Sequence, residues 1–89
     1  MSLKCMAFKA AWCNPCRMLA PIVEKAAAQN PDVEFISVDV DLEPDLATKM
    51  KVRAVPTMVF LKDDVVVKEM VGLTTLDNLL KVVNELKGA

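Results

Sequence analysis

The 89-residue sequence contains no histidine, which removes both the Ser-His-Asp and the Cys-His routes to nucleophilic catalysis, together with every histidine-containing zinc site. Three cysteines are too few for the disulfide framework of a small secreted domain, and they leave one thiol over after a single pair. That usage fits a reducing compartment. There is no uninterrupted run of about 20 apolar residues, and Lys4 and Lys9 break the short apolar stretch near the N-terminus. No signal peptide and no membrane span are therefore expected, and the sequence points to a cytoplasmic protein. Net charge is −1 and the basic residues are scattered, so no basic stripe is available to displace counterions from a nucleic-acid backbone. Internal repeats, linkers and low-complexity segments are also missing.

What is present is enough apolar material for one core. The hydrophobic fraction of 54% against a charged fraction of 26% argues for a folded chain, and at this length residues 1–89 are expected to form one domain. Residues 3–9 read as a short, mostly apolar strand interior to a sheet. From Cys16 onward, Leu19, Ile22, Val23, Ala26 and Ala27 recur at helical spacing until Gln29-Asn30-Pro31, predicting a helix of about fifteen residues with the cysteines in its first turn and a kink at Pro21. Val33 to Val40 predicts a second strand, with Ile36, Val38 and Val40 on one side and Phe35 on the other. Pro44 can open a short helix that fades near Lys51. Thr57–Leu61 and Val65–Val71, separated by Lys62-Asp63-Asp64, have the spacing of an antiparallel hairpin, closed by Gly72. A final helix carries Leu76, Leu79, Leu80 and Val83 on its buried face, with Thr74 as its cap and Gly88 at its end. The order β-α-β-α-β-β-α predicts an α/β fold: a four-stranded mixed sheet with flanking helices, the first helix on one face and the short one on the other.

Cys13 and Cys16 stand at i and i+3, a spacing that lets two side chains in a helical turn close a disulfide with little backbone movement. Free N–H groups and the positive dipole end of a helix start stabilise a thiolate there. Cys13, nearer that end, is thus read as the attacking thiol, and Cys16, a turn further in, as the thiol that resolves a mixed disulfide. Pro15 lacks a donor but has the φ of a first helical turn. Two other readings compete. The cysteines could be small buried apolar residues, or zinc ligands, although zinc needs four ligands and Cys5 lies on a separate strand. No metal and no cofactor are expected, and Cys5 is read as inert packing in an apolar strand.

The run Ala10-Ala11-Trp12-Cys13-Asn14-Pro15-Cys16-Arg17-Met18-Leu19-Ala20-Pro21 resembles the active-site segment of thioredoxins. Val52-Arg53-Ala54-Val55-Pro56-Thr57 resembles their second signature, and Val38-Asp39-Val40-Asp41 and Val71-Gly72 extend the likeness over nearly the whole chain. The resemblance implies a thioredoxin fold and a protein thiol-disulfide oxidoreductase that takes part in electron transport and redox homeostasis. It implies a cis peptide bond at Pro56 facing the cysteines, and substrate contacts from Trp12, Asn14, Pro15, Val55, Pro56 and Gly72, with the Val55 backbone receiving an extended peptide. Its partners would be disulfide-containing proteins, with a reductase or a low-molecular-weight thiol as electron source, acting on a monomer.

The sequence also departs from the family pattern. It lacks the usual N-terminal strand and helix. The acid that normally lies five positions before the motif tryptophan is Ala7, and its lysine companion on the next strand is Ser37. A water or a different carboxylate would have to accept the proton of Cys16. Neutral Asn14 and Pro15 between the cysteines place the chain on the reducing side of the family. Two alternatives stay open: a redox-independent binding module using the apolar rim of Trp12, Val55, Pro56 and Gly72, and a glutaredoxin-like protein that uses glutathione.

Overall fold

The computed structural model describes residues 2–88. Its elements run β1 (Leu3–Lys9), α1 (Asn14–Gln29), β2 (Val33–Asp39), α2 (Pro44–Lys49), β3 (Thr57–Lys62), β4 (Val65–Val71) and α3 (Leu76–Gly88). The sheet order is β2-β1-β3-β4. β1 pairs parallel with β2 and antiparallel with β3, and β3 pairs antiparallel with β4. The mixed four-stranded sheet with flanking helices therefore matches the expectation from sequence. So does the interior place of β1, whose apolar residues face both ways because both its sides and both its faces are covered.

Alternation along the strands divides the core into two layers. On one face, Leu3, Cys5, Val33, Met58 and Phe60 pack with Leu19 and Ala26 of α1 and Leu79 and Val83 of α3. On the other, Phe8, Val38, Val59 and Leu61 pack with Ala47 of α2. Each fully buried large side chain among these contributes about 1.5–3 kcal/mol relative to exposure. The expected split of the two crossover helices between opposite faces is thus observed. Val33 and Phe35 point to the first layer and Ile36, Val38 and Val40 to the second, as the period of two requires.

Three local features differ from, or add to, the sequence reading. Cys13 is not inside the first turn of α1; it is the N-cap, with extended backbone at φ −92° and ψ 108°. The turn between β3 and β4 holds Asp63 and Asp64 at φ 51° and 68°, the left-handed pair that a tight hairpin turn needs and that aspartate tolerates. The pairing shifts between Phe60/Lys68 and Leu61/Val66, so Val67 is an extra residue that bulges the edge strand β4.

The cap of α3 is a correction. Thr75, not Thr74, accepts the Asn78 N–H at 3.1 Å, while the Thr74 hydroxyl accepts the Asn78 side-chain amide at 2.8 Å. Both threonines have a polar residue three positions on. The helix starts at Leu76 because that register turns Leu79 and Val83 onto the sheet. Replacing Thr75 with alanine is expected to cost about 1 kcal/mol in a denaturant titration. Thr74→Ala should cost less than half as much, since it removes no bond to an orphan backbone donor.

Candidate functional site

The strand-to-helix turn after β1 sets the site. Lys9 ends the strand, Cys13 N–H donates to the Ala10 carbonyl at 3.1 Å, and α1 starts at once with Asn14 and Pro15. Asn14 and Pro15 are exposed, whereas Cys13 and Cys16 are only 4% and 7% exposed. The two cysteines are joined in a disulfide with a Cα–Cα separation of 5.3 Å. Burial does not distinguish the two sulfurs; position does. Cys13 Sγ sits at the free end of α1 and accepts the Cys16 backbone N–H at 3.2 Å. In the reduced protein that donor and the helix dipole would favour a thiolate on Cys13. Cys16, by contrast, lines two small clefts on the flank of α1, one with Ala7, Ser37, Glu24 and Pro56 and one with Lys9, Arg17 and Asp39.

A small apolar cluster of Ala10, Cys13 and Cys16 has Val40 and Val55 packed against it. The Val55–Pro56 bond is cis, as the family resemblance implied. The Pro56 carbonyl accepts the Gly72 N–H at 2.8 Å, which draws the end of β4 to the proline. Gly72 has φ +94°, a conformation that disfavours any side chain there although its surroundings are open. Thr57, buried at the start of β3, donates its hydroxyl proton to the Ala54 carbonyl at 2.7 Å and holds the loop before the proline. Val55, Pro56 and Gly72 are thus brought together with the cysteines.

Trp12 is 67% exposed, so it is a rim residue and not part of the core. Its indole N–H donates to Asp41 Oδ2 at 2.9 Å, and its ring borders a pocket of about 150 Å³ with Val40, Val52, Arg53 and Val55. The sequence alone points to no role for Asp41, nor for Arg17, whose guanidinium donates to the Ala11 carbonyl at 2.9 Å. No local pattern marks Asp41, since it meets Trp12 only after β2 has been laid beside β1.

Ala7 and Ser37 are direct neighbours in the β1–β2 register. Both line the cleft that reaches Cys16. Among the described residues, the buried polar side chains are Asn30 and Thr57 alone, and no carboxylate is buried behind Cys16. Cys5 lies elsewhere, fully buried in the first layer, and burial pushes its thiol up to about 12. Among those residues, too, no group of three or more histidine, cysteine, aspartate or glutamate side chains is placed to hold a metal ion. No helix of the described residues is long and apolar enough to cross a membrane.

Comparison with known proteins gives this geometry its family. The family model described as Thioredoxin matches residues 2–85. Thioredoxin of Chlamydia trachomatis is 40% identical over 78 residues, which are 88% of this chain and 76% of that protein. A rice thioredoxin is 45% identical over 65 residues, 73% of this chain but 48% of its own length, so the chain spans about half of that protein. A point mutant of thioredoxin from Halobacterium salinarum superposes with a TM-score of 0.90 at 39% identity, covering 94% of this chain and 74% of the other. The folded pattern, the paired cysteines at a helix start and these relatives agree: the chain belongs to the thioredoxin family and is a thiol-disulfide oxidoreductase.

Proposed function

We propose that the chain reduces disulfides in other proteins, with Cys13 as attacking thiol and Cys16 as resolving thiol. The observation that carries this reading is the Cys16 N–H donated to Cys13 Sγ at the start of α1. The Cys13 thiolate attacks a substrate sulfur, and the substrate's second sulfur leaves with the electron pair. Cys16 then loses its proton and attacks Cys13 Sγ, which releases the substrate as a dithiol and forms the Cys13–Cys16 disulfide. Two electrons pass to the substrate. A reductase or a low-molecular-weight thiol returns them, and the protein works as a monomer in a reducing, cytoplasmic setting where Cys5 stays free.

Trp12, Asn14, Pro15, Val55, Pro56 and Gly72 form the surface on which the substrate lies. No hydrogen bond among the described residues engages the Val55 amide or carbonyl, which leaves both groups to pair with an extended chain. A dithiothreitol-driven insulin reduction assay on the cysteine variants tests the reading. The proton of Cys16 is a separate matter. With Ala7 where an acid would stand, resolution should be slow near neutrality. Ala7→Asp is expected to speed decay of the mixed disulfide by roughly tenfold to a hundredfold below pH 8 and to change little above pH 9. Rapid-quench measurement across that range decides it, and superimposable profiles for the two proteins would sink the idea.

A further inference from the structure

Position 7 holds alanine and no carboxylate is buried near Cys16, so the proton of the resolving thiol needs another way out. A cleft of about 110 Å³ connects Cys16 to the flank of α1. Its helical wall carries Cys16, Ala20, Val23 and Glu24, at the i, i+4, i+7 and i+8 spacing of one helix face, and its sheet wall carries Ala7 and Ser37. The small side chains on the two strands leave this space open. It exceeds what a single water needs, and Ser37, Lys9 and Glu24 give water polar groups to bond.

Glu24 is exposed, whereas Cys16 is only 7% exposed, so the cleft joins a shielded sulfur to a carboxylate that meets solvent. Among the described residues that carboxylate makes no hydrogen bond and no ion pair. Its neighbours three and four positions away on α1 are Ala20, Pro21, Ala27 and Ala28, none of them charged. The Ser37 hydroxyl is equally uncommitted, and a hydroxyl can accept one proton while giving up another. Glu24 lies about 12 Å beyond Cys16 along the helix at ~1.5 Å per residue, and its side chain leans back towards the N-terminus. About three hydrogen-bonded steps of ~2.8 Å cross what is left.

We propose that, as Cys16 attacks the mixed disulfide, its proton passes through water in this cleft and the Ser37 hydroxyl to the Glu24 carboxylate, and from there to solvent. The electron pair of the S–H bond stays on Cys16 Sγ and forms the bond to Cys13 Sγ. The substrate sulfur leaves with the pair of the old bond and takes its proton from solvent. Glu24 acts through water and is a positioning residue for the proton. The inference rests on the reading of Cys16 as the resolving thiol. A carboxylate reached through water serves less well than one beside the sulfur, so the path is consistent with slow resolution that Ala7→Asp would speed. The other charged groups around Cys16 are Lys9 on β1, Arg17 on α1 and Asp39 on β2, and the segment at Pro56 adds none to the lining of either cleft. Asp39 is already engaged. Its Oδ1 accepts the Asp41 N–H at 2.9 Å, and Lys9 is its direct neighbour in the β1–β2 register.

The test mixes reduced protein with an excess of the aryl disulfide that releases coloured thionitrobenzoate. The first equivalent released reports attack by Cys13, and the second reports resolution by Cys16. Glu24→Gln changes an exposed residue at constant size, and Ser37→Val suits a strand while filling the cleft with methyl groups. Each should slow the second release about threefold to tenfold near pH 7, leave the first unchanged, and lose its effect above about pH 9, where hydroxide removes the proton directly. In the Ala7→Asp background Glu24→Gln should have no effect, because the nearer acid takes the proton. The sign separates a path from a mere charge: a carboxylate acting only through its charge makes a nearby thiolate harder to form, so removing it would speed the second release. An unchanged or faster second release in Glu24→Gln, or equal slowing of both releases, would overturn the path and leave the exchange reading standing. A loss undiminished in the Ala7→Asp background, or a larger loss in Asp39→Asn, would do the same. Release of a single equivalent by the wild type, or a rapid second release that persists in Cys16→Ser, would instead overturn the exchange reading, and the path with it.

Discussion

Replacing Cys13 with serine is expected to lower insulin reduction by at least ~10³-fold, while Cys16→Ser should stop after one turnover with the substrate trapped on Cys13. The two variants fail differently because the two sulfurs have different neighbours. Cys13 caps α1 and accepts the Cys16 N–H, so its thiolate is the one the helix end stabilises. A serine hydroxyl at that position still serves as an N-cap, and serine is among the favoured residues there. The Cys13→Ser protein should therefore keep its fold and lose its chemistry, a contrast that circular dichroism beside the assay would display. In Cys16→Ser the attacking thiol is intact but nothing displaces the substrate. Non-reducing electrophoresis should show one equivalent of a covalent complex that dithiothreitol dissolves. If Cys13→Ser trapped substrate and Cys16→Ser did not, the assigned roles would be reversed.

Much of this architecture is legible in the sequence because it follows from local periodicity. The buried stripe of α1 is written in Leu19, Ile22, Val23 and Ala26, and the two-layer core in the alternation of Phe35 against Ile36 and Val38. The hairpin between β3 and β4 could be placed from Lys62-Asp63-Asp64 because turn residues interrupt two apolar runs. The features that escaped are those set by tertiary neighbours. The Trp12–Asp41 hydrogen bond joins the ends of two strands that pair only in the folded sheet. The choice of Thr75 over Thr74 as cap depends on how α3 turns to bury Leu79 and Val83. Cys13 as N-cap, and not as a first-turn residue, is a matter of one position, yet it places the sulfur on the helix axis end where the free amides point. The cis bond before Pro56 carries no local mark at all, since an X–Pro bond is trans in most folded contexts, and only the family likeness indicated it.

The second large effect is expected at alkaline pH and comes from Cys5, the thiol the reaction does not use. Its side chain is fully buried between Phe35 and Phe60 in the sheet register, and burial raises its pKa from 9.0 to about 12. Between those values the unfolded chain has released the proton and the folded chain has kept it. The unfolded state then binds fewer protons, so stability falls as pH rises, by ~1.4 kcal/mol per pH unit within that window. The contribution is intact below about pH 9 and is lost progressively towards pH 12, roughly 4 kcal/mol in all. A chain carrying Cys13→Ser and Cys16→Ser isolates the effect, because Cys5 is then the single thiol and cannot exchange with a disulfide. Urea titrations of that protein at pH 8 and pH 10.5 should differ by about 2 kcal/mol more than those of the same protein with Cys5→Ala added. Every other ionisable group is common to both proteins and drops out of the comparison. The alanine chain should be less stable at pH 8, where only the lost packing counts, and should gain on its parent as pH rises. Parallel pH profiles for the two proteins would show that the Cys5 thiol ionises without unfolding, and that the sheet around it admits a charge that its burial between two phenylalanines argues against.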